Sequence, residues 1–144
     1  MTDLVKIEIK DHIAATGNPF GLPAADRFKS IDGEPPFKER AEVLYYVGCD
    51  AAYHSPEIAN AMIRILGESG ADFTLLRDET TTGKPLTVLG YQQEARQAAE
   101  SLREKIKSTG CTGNTIISRC PVGHNNSLES PLILKNFIIY MIIL

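Results

Sequence analysis

The sequence predicts an α/β fold, a small three-layer βαβαβ parallel sheet preceded by an extended N-terminal arm. Three observations carry it. Short apolar runs recur at 43–47, 71–76 and 114–118; helical patterns fill the two intervals; and Gly or Pro punctuates the junctions. Strands alternating with helices in short succession mean parallel pairing with right-handed crossovers.

The arm comes first. Residues 3–15 read as a short helix, although Leu4, Ile7, Ile9 and Ile13 are too loosely spaced to define one face. Gly17, Pro19, Gly21 and Pro23 then forbid regular structure, and the stretch "SIDGEPPFKER" (30–40) is a second polar, proline-bearing link. Residues 1–40 therefore read as a helix and connector outside the core.

The core begins at "EVLYYVGC", where Val43 to Val47 form a β-branched and aromatic run ending at Gly48. Ser55 followed by Pro56 reads as an N-cap with proline at the first helical position. Ile58, Ala61, Met62, Ile65 and Leu66 then fall on one helix face, and Gly70 stops it. "ADFTLL" (71–76) is the second strand. The threonine turn "DETTTGKP" (78–85) leads to a helix over about 91–108 with the stripe Tyr91, Ala95, Ala98, Leu102 and Ile106. Gly110 closes that helix in this reading, and "NTIIS" (114–118) is the third strand.

Composition sets outer limits. The 144 residues are 43% hydrophobic and 23% charged, ordinary for one globular domain, and the net charge of −3 argues against a nucleic-acid groove. The N-terminal "MTDLVKIEIKD" carries charges too often for a signal peptide or a span, so a cytoplasmic protein is expected. Three cysteines, Cys49, Cys111 and Cys120, fit free thiols or metal ligands better than a disulfide scaffold. Cys111, just past the second helix, reads as a bystander.

In a parallel sheet the segments leaving the carboxyl ends of the strands emerge on one rim, where open α/β sheets bind ligands. Here these are "GCDAAYHS", "DETTTGKP" and "RCPVGHNN". The pattern thus places Cys49, the threonines and Cys120 at equivalent strand exits.

At these residues the sequence becomes familiar. "VGCDAAY", "TTTGKPLTVLG" and "SRCP", with "GNPFGLPAADR" upstream, resemble the cysteine-rich (CCG) domain of heterodisulfide reductases and of the iron-sulfur subunits of glycolate and lactate oxidases. The resemblance runs from residue 11 to about 124. It implies an electron-transfer subunit of an oxidoreductase complex, with other subunits as partners and a 4Fe-4S cluster held by cysteines of the three exits. By that resemblance Cys49 matches the first ligand and Cys120 the start of the Cys-Pro-x-Cys motif. The adjacent cysteine pair falls within Thr80–Thr82, before Gly83, and the last cysteine falls on Gly123. The expected cofactor-binding positions are accordingly Cys49, Thr81, Thr82, Gly83 and Cys120.

Hydroxyls are poor substitutes for thiolates at iron. Cys49 and Cys120 with His124, or with His54, could instead form a mixed sulfur and nitrogen site for iron or for tetrahedral zinc. In the bland reading both histidines are simply polar residues of a loop and a helix start. "TTTGK" also invites comparison with a phosphate loop, but Pro85 stands where that motif needs Ser or Thr. Three functions follow: an iron-sulfur electron-transfer subunit or fragment; a cluster-free scaffold contacting a partner through residues 1–40; or a thiol-redox or zinc site. The domain boundaries read as 1–40, 41–124 and a tail at 125–144. The tail is nearly all apolar from Leu132. It reads as a buried terminal element, a membrane-surface contact or an end that is not the family's natural one; 13 residues are too few for a bilayer, which needs about 20.

Overall fold

The computed structural model describes residues 1–118 and 138–140, with 111–115 and 138–140 as backbone alone. The element order is α1 (Asp3–Thr16), a 3₁₀ turn (Ala24–Asp26), β1 (Arg40–Tyr46), α2 (Cys49–Tyr53), α3 (Pro56–Glu68), β2 (Phe73–Leu75), α4 (Lys84–Val88), α5 (Gln92–Ser108), β3 (Gly110–Ser118) and β4 (Ile138–Tyr140). The strands form one sheet in the order β2-β1-β3-β4, with every adjacent pair parallel. Expected strands one to three are thus present and parallel. A fourth, from the apolar tail, adds itself beside β3, with Ile138 opposite Thr115.

Side-chain alternation along β1 explains the three layers. Tyr45 and Val47 face one way and pack with Ala59, Met62 and Leu66 of α3, and with Phe73 and Leu75. Leu44 and Tyr46 face the other way, against Leu102 and Ile106 of α5 and Ile116 of β3. Leu44, Tyr45 and Met62 are fully buried, each worth about 1.5–3 kcal/mol of apolar transfer.

Some local expectations shift. The buried stripe of α3 is Ala59, Met62 and Leu66, while Ile65 lies 40% exposed, so the helix is rotated from the expected face. Ser55 does occupy the N-cap position with Pro56 next, but it makes no side-chain cap hydrogen bond. Gly110 does not close α5. Thr109 is the C-cap, in extended conformation, and Gly110 opens β3 against the Glu39 carbonyl, where a Cβ would collide. Two five-residue helices, α2 and α4, occupy segments that read as loops from the sequence.

The N-terminal segment packs on the sheet. Ile13 of α1 joins Leu86 of α4 and Ala95 of α5 in a separate cluster. Ile31 enters the α3-side core. Lys38 Nζ reaches Asp72 at 2.8 Å, and Leu75 N donates to Pro36 O at 3.2 Å, so the connector lies along β2.

Candidate functional site

The rim site is built where β1 and β2 end. Gly48 takes φ 88°, a left-handed value that glycine adopts without a side-chain penalty, and this turns the chain so that Cys49 begins α2. The loop is held by Glu79 from the β2 exit. Its Oε2 accepts from Val47 N at 2.9 Å and its Oε1 from Gly48 N at 2.8 Å. Glu79 is only 4% exposed, and a buried carboxylate needs a cation as well as amides.

Arg27 of the connector supplies that cation. Its Nη2 and Nε donate to Glu79 Oε1 at 2.7 and 3.2 Å, and Arg27 itself is 3% exposed. The same guanidinium reaches the Cys49 sulfur, Nη2 at 3.4 Å and Nη1 at 3.5 Å. It also stands over the Tyr53 ring, 5.7 Å from its centroid. The Thr81 hydroxyl lies close enough to the Cys49 sulfur to favour its charged form.

The electrostatics follow from this packing. Burial pushes the Cys49 thiol up; Arg27 and Thr81 pull it down, Glu79 adds to the rise, and the net shift is upward. Burial works to lower Arg27, but the charges of Glu79, Cys49 and Tyr46 and the Glu79 hydrogen bond together outweigh it, and the guanidinium is held more firmly protonated than usual. Tyr53 is raised, first by burial. Cys49 is therefore a neutral, hydrogen-bonded thiol near neutrality.

The threonine turn has a local explanation. Thr81 Oγ1 accepts from Gly83 N at 3.4 Å, and Thr82 Oγ1 accepts from Lys84 N at 3.4 Å. Short hydroxyl side chains make such two-residue bridges readily. Thr80 is held through its carbonyl by the Tyr46 hydroxyl at 2.8 Å, and Thr81 N donates to Gly17 O at 2.8 Å. Gly83 has φ 86°, and a Cβ there would lie 2.6 Å from Ala95 O. It is the contact point of the α4 turn with α5.

These bonds also use the Gly83 and Lys84 amides that an anion cradle would need. Pro85 offers none, and α4 is only five residues long, so the phosphate-loop comparison finds no support.

The structure thus brings together Cys49 and Thr81 and places Thr82 and Gly83 in the same turn. Cys120 and His124 lie outside the described residues. His54 is exposed, and its ring meets Phe20 edge-on at 4.2 Å between centroids. Cys111 lies in β3, its backbone opposite Ala41. Among the described residues no group of three His, Cys, Asp or Glu side chains could hold a metal ion. An iron-sulfur cluster needs several thiolates. The described rim offers one sulfur, two hydroxyl-bearing neighbours and a fixed cation against that sulfur, a donor set that does not fit a cluster by itself.

Sequence reasoning passed over Arg27, Glu79 and Asn18. Asn18 is fully buried: its Oδ1 accepts from Phe20 N and Leu22 N at 3.1 and 3.2 Å, and its Nδ2 donates to Leu22 O at 2.8 Å. The Asn-Pro pair at 18–19 was a readable turn signal for it. No signal in one sequence pairs an arginine with a glutamate 52 positions away.

The model of the cysteine-rich domain, CCG, matches residues 43–126, from the start of the β1 core past Cys120. The chain belongs to the cysteine-rich domain family. Relatives of this cysteine-rich domain include a subunit of the dihydromethanophenazine:CoB--CoM heterodisulfide reductase of Methanosarcina acetivorans, 31% identical over 66% of this chain and 24% of the relative. The subunit of the same name from Methanosarcina mazei is 28% identical over 61% of this chain and 24% of its own. A subunit of the anaerobic glycerol-3-phosphate dehydrogenase of Escherichia coli K12 is 30% identical over 55% of this chain and 21% of the relative. The chain spans about a quarter of the length of these relatives, all named as subunits of oxidoreductases. No solved structure matches it. Among the described residues no helix of this cysteine-rich domain is long and apolar enough to cross a membrane.

Proposed function

We propose that this chain is a cysteine-rich module of an electron-transfer oxidoreductase of the heterodisulfide reductase kind, working beside other subunits, in which Cys49 acts as a guanidinium-held thiol. The observation that supports this reading is the Arg27 guanidinium lying 3.4 Å from the Cys49 sulfur on the strand-exit rim. Held as a neutral thiol by hydrogen bonds from Arg27, Cys49 carries no thiolate charge for iron to balance. The iron-sulfur cluster of the resemblance would have to gather Cys49 and Cys120, with His124 beside them.

Anaerobic purification with iron, sulfide and zinc analysis tests the reading. Colourless protein without stoichiometric metal, recovered from its native extract with redox-cofactor-bearing subunits, is the expected result. Brown protein with about four irons per chain would replace the thiol with a cluster. Zinc at one per chain would favour the metal site of Cys49, Cys120 and His124. Protein that leaves the extract alone would remove the complex.

A second reading, the cluster-free scaffold that binds a partner through residues 1–40, is favoured by α1. Leu4, Val5 and Ile7 are exposed there, Leu4 at 79%. Changing Leu4 and Ile7 to Glu should abolish partner recovery if the helix is the contact.

A further inference from the structure

We infer that Arg27 is a positioning residue of the rim, so that the working site is assembled from two stretches of chain, one of them upstream of the family match. The match begins at residue 43, within β1. Two of the groups it contributes to the described rim, Cys49 and Glu79, are gathered around a side chain from residue 27. This rests on the proposed reading that Cys49 is the working group, but the geometry stands apart from any cofactor.

Charge and reach together give Arg27 this role. Among the described residues, Glu79 is the side chain that bonds the Val47 and Gly48 amides, the two peptide groups that lead into Cys49. Left alone, a carboxylate buried to this degree would draw in water, and its two amide bonds would weaken. Arg27 prevents that by donating two nitrogens to Oε1 while the edge of the same plane lies on the Cys49 sulfur. Only a planar, forked cation spans both partners at once; the point charge of a lysine reaches one.

Asn18 and the turn around it explain why an arginine on a connector can be this exact. The Asn18 side chain ties the backbone at 20 and 22, and Tyr53 Oη donates to Pro23 O at 3.2 Å. The 3₁₀ turn Ala24–Asp26 then delivers Arg27 inward. The connector is therefore anchored immediately before the residue that enters the site.

Amide hydrogen exchange by NMR on the full chain, with Arg27→Gln and Arg27→Lys, tests the inference. In Arg27→Gln, exchange at Val47 and Gly48 should accelerate by about tenfold or more beyond any change at Leu44 and Tyr45 in β1. In Arg27→Lys, protection at Val47 and Gly48 should return, because Glu79 regains a cation. The Cys49 13Cβ resonance should stay displaced, because lysine cannot also hold the sulfur. Equal acceleration along the whole of β1, or no local change in either variant, would overturn the role. Should Arg27→Gln fail to fold, the Lys variant decides: full recovery of the Cys49 resonance would equally overturn it. None of these readouts depends on iron content or on a partner, so they can fail while the oxidoreductase reading holds, and the reverse.

Discussion

Arg27 Nη2 lies 2.7 Å from Glu79 Oε1 and 3.4 Å from the Cys49 sulfur, so a carboxylate and a thiol compete for one guanidinium. Competition gives opposite signs. Glu79→Gln removes the rival anion and frees the cation for a thiolate, so Cys49 should react faster with iodoacetamide at about pH 8, near the thiol range. Arg27→Gln removes the stabilising charge and should slow it. The measurement uses Cys111→Ser and Cys120→Ser as background so that one thiol reports. A loop that merely loosens would speed the reaction in both variants.

The raised thiol also sets a direction with pH. Well below the ordinary thiol range both folded and unfolded chains keep the proton, and the stability that this group contributes is fully present. As pH rises through that range the unfolded chain releases its proton first, so stability falls until the folded thiol also ionises. Urea midpoints should therefore decline on the alkaline side, and Cys49→Ala should flatten that decline. An unchanged slope would show that Cys49 ionises alike in both states.

Gly83 shows how far the sequence could be read. From the resemblance it was expected to bind a cofactor; its φ of 86° and the approach of Ala95 O give it a packing role. Gly83→Ala should cost about 2 kcal/mol or more, combining the left-handed backbone penalty with displacement of α5. Thermal or urea unfolding checks this, and a loss under about 0.5 kcal/mol would mean the turn adapts.

The parallel strands and the helices α3 and α5 between them were legible because burial on both faces forces continuous apolar runs, and burial on one face forces a helical period. The meeting of Cys49 with the threonine turn was legible too, since parallel topology fixes which exits share a rim. The five-residue helices were not: "CDAAY" and "KPLTV" are too short for a period to show. Nor was the rotation of α3, where small Ala59 rather than Ile65 meets the sheet. The charged centre escaped for a deeper reason. Arg27 sits in "AADRF" and Glu79 in "RDET", both of which look like solvated turns until tertiary structure buries them.

Contact between Cys49 and Thr81 can be tested chemically. Thr81→Cys puts a second thiol where the Thr81 hydroxyl acts on Cys49, so mild oxidation should join the two. Mass spectrometry of a peptide pair linking 49 to 81, with loss of two hydrogens, is the expected result. Two free thiols under the same oxidant would place the residues too far apart or in the wrong orientation, and would weaken every argument that treats the rim as one site.

Asn18 decides whether the connector is part of the fold or laid upon it. Its side chain is fully buried and serves two backbone amides and one carbonyl within five residues. Asn18→Ala leaves those part-buried groups without their partner, at a cost of about 1–3 kcal/mol for each that stays unsatisfied. If the connector is integral, the loss should appear as a single cooperative unfolding transition at lower urea, with Arg27 released from Glu79 in the same step. If it is only laid upon the sheet, residues 17–36 should become protease-sensitive while the unfolding midpoint of the sheet holds. The buried Arg27–Glu79 pair favours the first outcome, because detaching the connector strands a carboxylate inside the domain.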